Sequence, residues 1–125
     1  MASSILAIAA GGALGAVLRY WTSTGVHSVL GREFPYGTLT VNVTGSLLMG
    51  VLTALLMERV NLGPEWRAGL LIGVLGSFTT FSTFSYETLA LIEHGDLGRA
   101  AMNVFLSIVL CLLAVGAGLL IGRQI

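Results

Sequence analysis

The densest group of residues able to handle an ion is the run from Gly76 to Ser85, Gly-Ser-Phe-Thr-Thr-Phe-Ser-Thr-Phe-Ser. It lies in the middle of a stretch otherwise apolar enough to cross a membrane. Lipid offers a spanning helix no hydrogen-bond partners, so such a helix normally satisfies its backbone within itself. Thr is β-branched and Ser competes for backbone bonds, so both weaken a helix interior. The run therefore predicts a broken helix with freed carbonyls, near residues 76–80. Breaks at membrane depth are tolerated where they are buried in protein or line a cavity. Broken spanning helices are also where transporters bind ions.

Two further polar groups share this depth. In the second apolar stretch, Thr38, Asn42, Gly45, Ser46 and Met49 fall on one helical face by their three-and-four spacing. In the last, Asn103 and Ser107 stand one turn apart. Asn inside a span is costly unless hydrogen-bonded. Interhelical bonding is one use for these residues; together with the broken helix, a polar track is the better reading. The track has no acid or base at mid-depth, which a proton relay requires. Glu87 and Arg19 are the only candidates for such a role inside the spans, and both lie toward one membrane side. They are expected to face each other as a structural ion pair. What remains is neutral: amides, hydroxyls and rings. A phenyl edge carries partial positive charge, and Phe81 and Phe84 are three apart, on one side of a helix. Their edges can stabilise an anion without a fixed cation, which suits a channel that must release its ion. Packing against lipid is the ordinary use of such rings; the interleaved hydroxyls argue against it here.

The elements that must position these residues follow from composition. The chain has 125 residues, 55% hydrophobic and 10% charged, with a mean hydropathy of +0.91. Soluble domains carry about 25% charged residues. The chain reads as an all-α integral membrane protein, one domain over residues 1–125, with four spans of about 20 residues each. These are expected at residues 4–24, 36–57, 66–92 and 98–121. Tyr20 and Trp21 suit an interface, and Pro35 can open the second helix. His27 and His94 are expected in solvated connections. The N-terminus lacks the charged region of a cleaved signal peptide. The single cysteine, Cys111, excludes a disulfide or CxxC site within one chain. Zero net charge gives no basic patch for nucleic acid.

Topology is unusual. All six basic residues are Arg. Arg59, Arg67 and Arg123 fall on one side; Arg19, Arg32 and Arg99 fall on the other. Orientation normally follows a Lys/Arg bias in short loops, and here there is none. Either one Arg or a partner protein tips the balance, or copies insert both ways and pair antiparallel. A four-helix bundle fills its own centre, so a pore through one copy is hard to build. Gly11 with Gly15, Gly69 with Gly73, and Gly118 with Gly122 are small-xxx-small pairs that favour close packing in lipid. Packing within one subunit or between two fits each pair equally.

Four strings carry a resemblance across nearly the whole chain. They are Gly-Ala-Leu-Gly-Ala-Val-Leu-Arg-Tyr in helix 1 and Phe-Pro-Tyr-Gly-Thr-Leu-Thr-Val-Asn-Val-Thr-Gly-Ser in helix 2. The third is Gly-Ser-Phe-Thr-Thr-Phe-Ser-Thr-Phe-Ser-Tyr-Glu in helix 3, and Asn-Val-Phe-Leu-Ser in helix 4 is weaker. The chain resembles the Fluc (CrcB) fluoride channels of bacteria and related organisms. The resemblance implies an antiparallel, dual-topology homodimer in the inner (plasma) membrane, with two fluoride pathways drawing on both subunits. It implies that Phe81, Phe84, Asn42 and Ser107 line the pore. Thr83 and Asn103 match the polar track, though some relatives have Tyr where Asn103 stands. Thr38 and Arg19 match positions near the pore entrances. It also implies a structural sodium ion held by backbone carbonyls of Gly76 and Thr79 from both subunits. A fluoride channel would be passive and no enzyme.

Other classes fit less well. A small proton-coupled multidrug transporter needs a carboxylate in mid helix 1, which is missing. A structural subunit of a larger complex would explain the glycines but not the aligned polar track. A membrane enzyme would need clustered His, Cys or carboxylates at depth.

Overall fold

The computed structural model describes residues 1–59 and 61–125. Within these, four helical segments are long and apolar enough to cross a membrane: Ala2–Leu30, Tyr36–Arg59, Pro64–Glu93 and Leu97–Gln124. The first is one helix, α1 (Ala2–Leu30). The second is α2 (Tyr36–Ala54), continued by a π-helical turn at Leu55–Arg59. The third is composite. It has α3 (Pro64–Arg67), a π-helical stretch at Ala68–Leu75, α4 (Gly76–Phe78) and α5 (Phe81–Glu93). The fourth is α6 (Leu97–Gln124).

The ends show that neighbouring segments run in opposite directions. At one end Ser3 Oγ donates to Glu65 Oε1 (3.3 Å), and Arg123 Nε meets Glu58 Oε2 (3.3 Å). At the other end Arg99 bridges Asp96 (3.2 Å) and Glu33 (3.6 Å). Asp96 also caps α6, accepting from the Arg99 backbone N–H.

The segments pack as two seams. In the first, α1 lies along Pro64–Phe78; in the second, α2 lies along α6. Glycine makes both. A Cβ on Gly11 would run into Gly69 O, and one on Gly15 into Val74 O. One on Gly73 would come within 2.9 Å of Ile8 O. In the second seam, a Cβ on Gly118 would strike Leu47 O, and one on Gly122 would sit 2.7 Å from Val51 O. All three small-residue pairs of the sequence thus pack within the subunit. The choice left open between packing inside a copy and between copies falls to the former.

Helix 1 runs six residues past its expected end. Val26, Val29 and Leu30 carry it on, and Gly31, at φ 88°, stops it. The left-handed region is open to glycine at little steric cost. His27 is therefore not solvated. It is buried against Gly37 on α2, and its Nδ1 is 3.1 Å from Gly31 O. His94 stays exposed, as expected.

Candidate functional site

The third segment changes partners at its centre. Before Thr79 it packs on α1; after Thr80 it packs on α6 and touches α2. Thr79 and Thr80 are the hinge, with extended backbone (φ −86°, ψ 158° and φ −152°, ψ 118°) between α4 and α5. Side chains take over the bonds that a continuous helix would have made. Thr80 N–H, which such a helix would direct four residues back to Gly76 O, donates to Asn42 Oδ1 at 2.7 Å. Asn42 Nδ2 donates in turn to Thr80 O at 3.0 Å. Thr83 N–H, which would seek Thr79 O, donates to Thr80 Oγ1 at 3.3 Å. That is an N-cap, the ordinary way a Thr starts a helix. The two diverted donors leave the carbonyls of Gly76 and Thr79 without their helical partners.

Two cavities flank this hinge, and Thr80 lines both. The larger, about 410 Å³, is bounded by Asn42, Gly45, Ser46 and Met49 of α2, by Thr79 to Phe81 and Phe84, and by Ser107, Ile108, Cys111, Leu112 and Val115 of α6. Its polar groups are amide and hydroxyl, and no ionisable carboxylate, Arg, Lys or His lines it. Phe81 and Phe84 stand side by side on its wall, with ring centroids 5.4 Å apart and planes at 44°. Phe81 is 78% exposed in the single chain. The smaller cavity, about 280 Å³, is bounded by Arg19, Ser23, Thr24, Thr38, Thr80 and Thr83.

A family model described as "CrcB-like protein, Camphor Resistance (CrcB)" matches residues 6–119. The chain belongs to this family. Among curated relatives, the fluoride-specific ion channel FluC of Methylococcus capsulatus is 55% identical over 122 residues. That match covers 98% of this chain and 54% of the relative, so the chain spans about half of that protein's length. The FluC of Geobacter sulfurreducens is 48% identical over 98% of this chain and 99% of its own. The FluC of Shewanella amazonensis is 53% identical over 93% of each. With four membrane-length helices, this CrcB-like chain is a multi-pass membrane protein. The family is one of ion channels and not of enzymes.

The CrcB-like chain divides the sequence-predicted residues among three places. Asn42, Phe81, Phe84 and Ser107 meet around the larger cavity, with Gly45, Ser46 and Met49. Thr38, Thr83 and Arg19 meet around the smaller one. Asn103 lines neither. It is 2% exposed, and its Nδ2 donates to Thr88 Oγ1 (2.9 Å) while Ser107 Oγ reaches its Oδ1 (3.5 Å). Thr88 Oγ1 passes its own hydrogen to Phe84 O (2.7 Å). Asn103 thus ties α6 to α5, the interhelical bonding weighed for it from sequence.

The expected Arg19–Glu87 pair is not formed among the described residues. Arg19 faces the smaller cavity; Glu87 faces a third one, of about 340 Å³, with His27, Arg32, Glu33, Tyr86 and His94. Arg19 Nε and Glu87 Oε1 are each buried without a hydrogen-bond partner. Both belong to the same membrane side, but helix 3 shifts at its hinge from α1 to α6, and this carries Glu87 away from Arg19. Sequence reasoning missed Thr80 and Thr88. Thr88 had a signal: a buried Asn103 demands a partner, and Thr88 is a hydroxyl of the preceding helix. Thr80 had none that set it apart from its neighbouring hydroxyls. Cys111 lines the larger cavity.

Proposed function

We propose that this CrcB-like protein is a passive, fluoride-selective channel that exports cytoplasmic fluoride. The observation that carries this is the larger cavity. Its wall holds two phenyl rings, an amide and hydroxyls, and no fixed charge. Ring edges are partially positive and can hold a small anion after it sheds water, weakly enough for release. The relatives' printed name, fluoride-specific ion channel, supports fluoride as that anion. Fluoride is the base of a weak acid. Neutral acid crosses lipid, ionises in a near-neutral cytoplasm and is trapped there. A negative-inside potential then drives the anion out through any selective pore, in the inner (plasma) membrane. No energy source is needed.

The working unit in this reading is an antiparallel homodimer, with helix 3 broken at mid-membrane. Phe81 in a single chain is mostly exposed at the centre of a membrane-length segment, so a second copy would complete the cavity wall. Gly76 is exposed as well. Its carbonyl and that of Thr79 have lost their helical donors to Asn42 and Thr80. Two such carbonyls from each copy fit a hard monovalent cation, in keeping with a structural sodium ion. When bound, that ion supplies positive charge that satisfies carbonyls otherwise costly at this depth. The oppositely directed copies agree with the three-against-three arginine count.

The test is anion efflux from liposomes holding the purified protein, loaded with fluoride or chloride, with a potassium ionophore to balance charge. Fluoride loss without chloride loss is the expected result. Loss of neither, from protein that is folded and dimeric, would point to a small transporter or a structural subunit instead.

A further inference from the structure

We propose that Asn42 acts chiefly as a positioning residue, by clamping the Thr80 backbone, and only secondarily as a donor to the ion. The geometry of the amide argues for this. An Asn side chain offers one oxygen and two N–H groups. Here the oxygen takes Thr80 N–H at 2.7 Å, and one N–H goes to Thr80 O at 3.0 Å. One N–H is left for anything in the cavity.

The clamp has two consequences on opposite sides of the hinge. Toward α4, it gives Thr80 N–H an acceptor other than Gly76 O, so the hinge stays open and Gly76 O stays free. Toward α5, it fixes Thr80, whose Oγ1 caps the helix at Thr83 N–H and meets Thr83 Oγ1 at 3.2 Å. The cap sets where α5 starts. Phe81 is its first residue and Phe84 stands one turn on, so the clamp aims both rings. Thr80 also divides the two cavities, which makes its placement the placement of the wall between them. One turn along α2, a Cβ on Gly45 would strike Thr79 Cγ2. Helix 2 thus leaves room at Gly45 for the Thr79 side chain, one turn from where Asn42 holds the hinge. Sodium dependence enters here only on the reading of Gly76 and Thr79 given above.

The experiment measures backbone deuterium uptake at Thr80 in the reconstituted full chain, with fluoride flux recorded across a series of sodium concentrations. The wild type is expected to protect the Thr80 amide. Asn42→Ala should exchange there about tenfold faster or more, and need about tenfold more sodium for half-maximal flux. Asn42→Asp keeps the acceptor for Thr80 N–H, so its protection should stay within about twofold of wild type even where flux falls. A freely exchanging Thr80 amide in the wild type overturns the proposal, whether or not the variants fold. So does an Asn42→Ala protein whose flux falls while Thr80 exchange and sodium dependence are unchanged, because that is the behaviour of a direct ligand. Exchange is read independently of conduction. Asn42-dependent protection in a chain that moves no fluoride would support the clamp and sink the channel reading.

Discussion

The seam between α1 and the first half of helix 3 and the hinge region beyond it solve opposite problems with adjoining residues. Along the seam, Gly11, Gly15, Gly69 and Gly73 remove side chains so that backbones touch. No polar side chain is needed, because each helix satisfies itself. At the hinge the backbone is extended at Thr79 and Thr80, and side chains stand in for it: Asn42 for a carbonyl, Thr80 Oγ1 for another. The first region brings backbones into contact and the second borders two cavities walled partly by hydroxyls and amide. The difference teaches that in lipid, with no hydrophobic drive between helices, close contact comes from absent side chains, and a broken backbone must be held by polar ones.

The comparison breaks most readily in the seams. Gly118→Leu should cost about 3 kcal/mol or more, above the usual overpacking range, because Leu47 O and Gly50 Cα leave no room for a Cβ. Gly116→Ala and Gly25→Ala, where nothing lies within 4 Å, should be neutral or stabilise by about 0.4–1 kcal/mol. Thermal unfolding in detergent measures all three. Equal losses in all three would show that the seam model is wrong.

Next comes the tie between α5 and α6. Asn103→Ala should destabilise by about 1–3 kcal/mol, since Thr88 Oγ1 loses its donor and Ser107 Oγ its acceptor in a buried place. The Asn103→Ala, Thr88→Ala double variant should cost less than the sum of the singles. Strict additivity would mean the two side chains do not share a bond.

Smaller in energy but larger in function are the rings. Phe81→Ile and Phe84→Ile keep apolar bulk and lose the partially positive edge. Each should lower fluoride flux about tenfold, equivalent to about 1.4 kcal/mol, with unfolding temperature nearly unchanged. Undiminished flux in both would remove the aromatic edge from the mechanism. Smallest of all, Glu58→Gln should cost under about 1 kcal/mol in stability, because its partner Arg123 is half exposed.

Much of this division was legible in the sequence. Hydropathy located four membrane-length helices, and helical spacing put Asn42, Gly45, Ser46 and Met49 on the face that lines one cavity. The run of Thr and Ser singled out the stretch that holds the hinge. Contacts across helices were not legible. Spacing along α6 placed Asn103 and Ser107 together but could not show that Thr88 consumes the Asn103 amide. Depth alone put Arg19 and Glu87 on one side, yet the partner change of helix 3 sends them to separate cavities. Pattern reports what a helix presents; what it meets depends on how the helices pair.

The central claim is tested most directly by the reversal potential of the purified protein in a planar bilayer, with opposing fluoride and chloride gradients and a pH difference across it. The account predicts that current reverses at the fluoride equilibrium potential and ignores both the chloride and the proton gradient. A reversal potential that follows chloride, or moves with pH, would contradict it.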